Sequence, residues 1–437
     1  MNRDPRVTLA NGPMTLGQIV VVAVTVALNA LDGFDVLSIS FAAPGIAREW
    51  GMNSAGLGVV LSMELLGMAL GSILLGGAAD RYGRRRTVLS CLGGMAVGMT
   101  MTANAHGVVE LCTWRVLTGI GIGGMLASSS AVAAEFASSK RRSLCVSLMV
   151  IGYPLGVIVG GSIVAVLLHR HDWRVVFEVG AVMTALFVPV VIWLVPESVT
   201  WLCETQPTGA LETVNSSLRK LGYEAITALP AATQRSQYGS LVEILRRDRV
   251  RVTILVTLTY LLHITTFYFM IKWIPKIVVD TGSTAATAAG VLVWTNVGVA
   301  IGGIALGVLA YRIGLKIVTI AMCIASAVTV NVFGHGHASI HALVLVCVLA
   351  GFSTGGGVAG IYAVLAQVFP AKMRAAGTGF AIGMGRGGAV VSPIVAGYLF
   401  QGGCGLQTVA LIMSAGSLLA AALLVLVRLE PRPAIPR

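Results

Sequence analysis

The sequence predicts an all-α membrane protein with twelve transmembrane helices in two pseudo-symmetric six-helix bundles. Three observations carry that prediction. The 437 residues are 56% hydrophobic and only 11% charged, against roughly 25% charged in soluble domains. The apolar residues gather into twelve runs, each close to the roughly 20 residues that cross a hydrocarbon layer. Two loops recur at one spacing, 231 and 232 residues apart. A soluble helical protein of this composition would need a very large dry core and has too few surface charges. Most of the 53 glycines fall inside the apolar runs, where they let membrane helices approach closely.

The runs lie near residues 17–43, 54–79, 87–106, 109–134, 143–168, 174–195, 250–272, 285–309, 315–334, 340–365, 376–400 and 406–428. The first is too long for a signal peptide and carries two aspartates, so it belongs to the mature chain. The sixth is followed by the only long polar segment, which divides the chain into an N-terminal bundle (1–196), a linker (197–249) and a C-terminal bundle (250–437). Within the linker, residues 210–221 and 241–249 read as amphipathic helices. The segment is too short for a core of its own.

The net charge of +12 comes from short basic clusters between runs, not from a continuous patch. That pattern sets orientation in a bilayer and does not call for nucleic acid. Arg81 to Arg86, Lys140 to Arg142, the linker, Arg312 with Lys316, and Lys372 with Arg374 fall on the same side as both termini. The opposite side holds little beyond Arg48, Arg170, Arg174, Lys272 and Lys276. The basic side is expected to be cytoplasmic, with both ends of the chain there. The seven cysteines show neither metal-ligand spacing nor a disulfide framework.

The recurring loops define an internal repeat. AAEFASSKRR at 133–142 aligns with LAQVFPAKMR at 365–374, which sets Glu135 on Gln367, Lys140 on Lys372 and Arg142 on Arg374. GGAADRYGRR from Gly76 aligns with GVLAYRIGLK from Gly307. Parallel repeats of this kind place a binding site near the midplane between halves that rock about it.

Several segments then resemble the major facilitator superfamily, along nearly the whole chain. GGAADRYGRRR at 76–86 is similar to its signature loop between the second and third spans, RVLTGIGIGG at 115–124 to its fourth-span motif, and VPESVTWL at 195–202 to the segment after the sixth span. Within that superfamily, DGFD at 32–35 and GTGFAIGMGRGGAVVSP at 377–393 resemble the aromatic acid:proton symporters, bacterial importers of benzoate-like carboxylates. The resemblance implies a monomer in a bacterial inner membrane, with a small aromatic carboxylate, protons and lipid as its partners. It implies no cofactor beyond the proton gradient. Two departures stand out: Tyr311 occupies the second loop where the first has Asp80, and Glu64 lies in the second span where a small or apolar residue is expected.

The intramembrane charges carry the functional reading, because a charge at bilayer depth costs several kcal/mol on any scale. They are Asp32, Asp35, Glu64, Arg115 and Arg386, with His263 titratable. Asp32 and Asp35 share a helix face and could share a proton, or could both be structural partners of Arg115. Gly33 between them points to a close helix contact. Arg115 is expected to face Asp32 or Asp35 and to tune their protonation. Arg386, beside Gly385, Gly387 and Gly388, is read as a carboxylate clamp, since guanidinium binds carboxylate bidentately and stays charged; the alternative is an internal ion pair. His263 and Glu64 are open between proton site and bonded core residue. Of the aromatic residues, Phe34, Tyr362 and Trp294 with its neighbour Asn296 are candidates to stack on a substrate ring and to bond its hydroxyls. The resemblance implies a gating role for Asp80, Arg84 and Glu135: Asp80 against the start of the eleventh span, and Arg84 against Glu135.

The expected function is proton-coupled import of an aromatic monocarboxylate. A proton-coupled exporter of drugs or metabolites on the same fold would favour cations or neutral compounds and would lack an arginine clamp. A transport-dead aromatic-acid sensor would call for a signalling extension. An enzyme is disfavoured, since no metal triad, nucleophile elbow or phosphate loop occurs.

Overall fold

The computed structural model describes residues 4–231, 246, 249–336, 339–369 and 373–427, with the side chains of 374–376 outside that set. A short helix α1 (Pro5–Asn11) precedes six long ones: α2 (Leu16–Glu49), α3 (Ser54–Tyr82), α4 (Arg84–Ala103), α5 (Val108–Phe136), α6 (Arg142–Leu167) and α7 (Arg174–Leu194). Two short helices follow, α8 (Val199–Thr205) and α9 (Ala210–Leu221). Six more long helices complete the described chain: α10 (Val250–Asp280), α11 (Ala285–Ile313), α12 (Leu315–Gly334), α13 (Ile340–Val368), α14 (Arg374–Gln401) and α15 (Leu406–Leu426).

Among the described residues, eleven helices are long and apolar enough to cross a membrane. The remaining long helix, α4, has 20 residues and corresponds to the third expected span. It begins with three arginines and is rich in glycine and threonine, which lowers its hydropathy without shortening it.

The chain forms two compact units, Met1–Ile46 with Met63–Arg235, and Ala47–Ser62 with Ser236–Arg437. In the first, the apolar side of α9 (Ala210, Val214, Leu218, Leu221) is buried. Its polar contacts fix it further: the Ser217 hydroxyl donates to the Glu197 carbonyl at 3.1 Å, and just past α9 the Tyr223 hydroxyl donates to Gln18 Oε1 at 3.0 Å. The amphipathic helix expected at 210–221 is therefore α9. The one expected at 241–249 lies almost wholly outside the described residues.

The repeat extends from the loops into the packing of the helices. In the first unit, a Cβ on Gly67 or Gly71 of α3 would overlap the carbonyl oxygens of Val116 and Ile120 on α5, and one on Gly119 would overlap the carbonyl of Glu64. In the second unit, Gly298 and Gly302 of α11 meet the carbonyls of Val348 and Phe352 on α13, and Gly351 meets that of Thr295. Each contact recurs 231 or 232 positions later. The pairs α2/α6 and α10/α14 correspond in the same way, with Gly156 on the Ala30 carbonyl and Gly388 on that of Leu261. Backbone against backbone, with no side chain between, is how helices gain contact area in lipid, where apolar surfaces alone give little preference for association.

Candidate functional site

Two clusters of functional side chains occur, one in each unit, and a third network lies at the arginine-rich end of the first. In the first unit, α2 carries Asp32 and Asp35, α3 carries Glu64, and α5 carries Arg115. Asp32 is 2% exposed and the other three are fully buried. One Nη2 of Arg115 forms an ion pair with Glu64 and donates to the main-chain carbonyl of Asp35 at 3.0 Å. Nη1 lies 3.2 Å from the Met99 sulfur, and the guanidinium sits 5.3 Å from the centre of the Phe177 ring.

The sequence set Arg115 facing Asp32 or Asp35; it does touch Asp35, at the main-chain carbonyl, but its ion pair is with another acid. Its carboxylate partner is Glu64, because Gly119 lets α3 and α5 meet at the Glu64 carbonyl and sets the two side chains side by side. Among the described residues neither aspartate forms an ion pair. Asp35 Oδ2 is 3.5 Å from the Thr184 hydroxyl and Oδ1 has no hydrogen bond; neither oxygen of Asp32 has one among the described residues. Gly33 makes the expected close contact: a Cβ there would overlap the Tyr153 carbonyl on α6. Phe34, a candidate ring platform in the sequence, is packed in this structure. It is 1% exposed, lies over Gly160 of α6, and has its ring centre 6.5 Å from that of Phe41.

In the second unit, Arg386 lies on α14, half-buried, with no acidic partner and no hydrogen bond among the described residues. The internal ion pair considered from sequence is thus absent from them. Tyr260 of α10 and Tyr362 of α13 hold their hydroxyls 3.0 Å apart and their ring centres 5.5 Å apart, and Arg386 is an electrostatic neighbour of Tyr260. The glycines around Arg386 divide by task. Gly385 admits the Tyr260 ring and Gly388 the Leu261 carbonyl, while Gly387 faces open space. Of the three, only Gly387 has open space beside it.

Asn296 of α11 is fully buried; its Nδ2 donates to the Leu292 carbonyl at 2.9 Å and its Oδ1 has no partner among the described residues. Trp294 departs from expectation. It is 55% exposed and lines a shallow depression with Ile340, His341 and Val344. His263 is fully buried with both ring nitrogens bonded, Nε2 to the Thr354 carbonyl at 3.0 Å and Nδ1 to the Ser417 hydroxyl at 2.9 Å. A carbonyl only accepts, so Nε2 carries a hydrogen. This geometry fits the bonded core residue of the two readings.

At the arginine-rich end of the first unit, Arg84 bonds Asp80 at 2.5 Å and Glu135 at 3.4 Å. The Ser198 hydroxyl donates to the other Glu135 oxygen, and Trp201 Nε1 donates to the Asp80 carbonyl at 2.9 Å. Glu197 Oε1 accepts from the main-chain N–H groups of Arg85 and Ser198, both at 3.0 Å. Gly83 is required beside it: φ is +103°, and a Cβ would stand 2.6 Å from Glu197 Oε2. The pairing of Arg84 with Glu135 agrees with the sequence reading. The start of the eleventh span, set against Asp80 in that reading, has its side chains at 374–376 outside the described residues.

Sequence reasoning missed Tyr260 and gave no role to Glu197 or Ser198. The motif VPES could have drawn attention to the last two, since a carboxylate and a hydroxyl in a loop facing three arginines invite pairing. Tyr260 sits among leucines and threonines with no local signal.

Comparison with known proteins adds three findings. The family model described as Major Facilitator Superfamily matches residues 25–295 and 256–437. A gallate transporter of Pseudomonas putida is 28% identical, covering 99% of this chain and 97% of that protein. A 3-(3-hydroxy-phenyl)propionate transporter of Escherichia coli is also 28% identical, covering 99% and 98%. Among solved structures, a D-xylose-proton symporter superposes with a TM-score of 0.72 at 16% identity, covering 93% of this chain and 97% of that one.

Proposed function

This chain belongs to the major facilitator superfamily, and we propose that it imports a hydroxylated aromatic carboxylate with protons across a bacterial inner membrane, by alternating access and with both termini cytoplasmic. Arg386 carries the reading. It is a guanidinium within a membrane-spanning helix, with neither acid nor hydrogen bond beside it among the described residues. Such a charge is costly unless an anion completes it, and a planar carboxylate matches its fork of donors. The Tyr260 and Tyr362 hydroxyls, with Arg386 an electrostatic neighbour of Tyr260, would bond the same anion or a ring substituent, and Asn296 Oδ1, without a partner among the described residues, is a further acceptor in the same unit. The names of the two relatives, both carriers of hydroxylated aromatic acids, support that substrate class.

Asp32 is the assigned proton carrier, with Asp35 beside it. It has a buried carboxyl group that no cation and no donor holds among the described residues. An anion entering a negative interior works against about 2.3 kcal/mol per 100 mV; one proton cancels that cost, and a second makes uptake electrically driven. Asp80, Arg84 and Glu135 then act as a latch whose ion pairs break and reform in each cycle. The exporter reading gains nothing from these residues, since an unpaired guanidinium repels cationic drugs.

The test is uptake of labelled gallate or 3-hydroxyphenylpropionate by proteoliposomes under an imposed pH gradient, inside alkaline. Accumulation that a protonophore collapses is the expected result. Uptake that ignores the protonophore would defeat symport, and binding of the methyl esters as tightly as the acids would defeat the arginine clamp.

A further inference from the structure

Glu64 takes the ion pair of Arg115, and among the described residues neither Asp32 nor Asp35 forms one with it. Both members of the pair are fully buried. The same Nη2 of Arg115 also donates to the Asp35 main-chain carbonyl, and Nη1 lies against the Met99 sulfur. Among the described residues Nε has no hydrogen bond, and no Arg115 nitrogen donates to the Asp35 carboxyl group. The fold itself does not demand a charge pair at this level. The positions 231 and 232 residues later are Thr295 and Cys347, both fully buried and uncharged, although the glycine contacts around them are the same. The pair is therefore a particular of the first unit, where the aspartates are.

We infer that Glu64 is a positioning residue for proton uptake: by holding Arg115 it keeps the guanidinium off the carboxyl groups of Asp32 and Asp35 and leaves them able to bind and release a proton. The groups facing the dyad are Glu64 on α3, Cys91 on α4 and Arg115 on α5, with Thr184 on α7 as a hydrogen-bond donor. Arg115 is the only cation in that list. Once Glu64 loses its charge, the nearest acid for Arg115 is the Asp35 side chain, whose backbone it already touches. A carboxylate fixed by a guanidinium gives up its proton more readily, so uptake would then need a more acidic exterior. The inference rests on the symport reading above.

The experiment compares the initial uptake rate against external pH for the wild type, Glu64→Gln, Glu64→Asp and Glu64→Gln/Arg115→Gln in proteoliposomes. In parallel, an infrared titration follows the protonated-carboxyl band, assigned by its loss in Asp32→Asn. The expected result is a half-maximal pH lowered by roughly one unit or more in Glu64→Gln, a wild-type profile in Glu64→Asp, and return of the profile when Arg115 is neutralised as well. A Glu64→Gln profile that superimposes on the wild type overturns the inference, as does a double variant shifted as far as the single one. If Glu64→Gln fails to assemble, the double variant decides alone: with no buried cation it must titrate like the wild type, and a displaced titration counts against the inference. The infrared arm needs no transport, so uptake indifferent to a pH gradient would sink symport while leaving Glu64 on trial.

Discussion

Tyr260 and Tyr362 hold their hydroxyls 3.0 Å apart, and Arg386 is an electrostatic neighbour of Tyr260. In such a pair one hydroxyl donates to the other, which leaves one proton to offer a ligand. Tyr362→Phe and Tyr260→Phe each remove a link in that chain. A net hydrogen bond contributes about 0.5–1.5 kcal/mol, so each variant is expected to bind gallate roughly two- to tenfold more weakly, with little change in thermal stability. Calorimetric titration of purified protein gives the constants. Unchanged affinity in both would remove the pair from the binding site.

Arg386→Gln keeps size and polarity and removes the charge. A hydrogen bond to a charged group contributes about 1.5–3 kcal/mol, so the acid should lose roughly ten- to a hundredfold in affinity while the methyl ester, which carries no charge, changes little. Arg386→Lys should fall between, because an ammonium is a point charge without the planar fork. Substrate-dependent thermal shift against acid and ester measures both. Equal losses for the two ligands would mean that Arg386 acts through packing.

Asp32→Asn separates coupling from movement. The amide cannot carry a proton, so accumulation driven by a pH gradient should vanish, while exchange of labelled for unlabelled substrate across the membrane persists. In the wild type, lowering the external pH should speed uptake, and in Asp32→Asn that dependence should flatten. Wild-type accumulation by the variant would move the proton to Asp35 or elsewhere.

The twelve spans, the repeat and the charges of the first unit could be read in the sequence because each is a local or periodic signal. Apolar length marks a span, and an acid inside a span marks a site. Partner choice could not be read. The sequence offered Arg115 the aspartates Asp32 and Asp35, while the ion pair goes to Glu64, where Gly119 lets α3 and α5 meet. Helical phase was equally hidden. Trp294 and Asn296 are two residues apart, yet one is 55% exposed and the other fully buried. An apolar helix surrounded by lipid on one side and helices on the other carries no hydrophobic stripe to reveal which face is which.

Those same glycine contacts yield the last prediction. A methyl group on Gly156 would overlap the Ala30 carbonyl, and one on Gly388 would overlap that of Leu261, whereas one on Gly94 meets nothing within 4 Å. The obstructing atoms belong to helix backbones and cannot rotate aside as a side chain would. Overpacking costs typically 1–3 kcal/mol, so Gly156→Ala and Gly388→Ala should each lower the unfolding temperature in detergent, and Gly94→Ala should not. Because Gly156 seats α6 against the helix that carries Asp32, Gly156→Ala should also slow proton-driven uptake more than it slows exchange. Gly388→Ala, next to Arg386 on α14, should instead weaken substrate binding. If the two variants affect coupling and binding alike, the division of labour between the units does not hold.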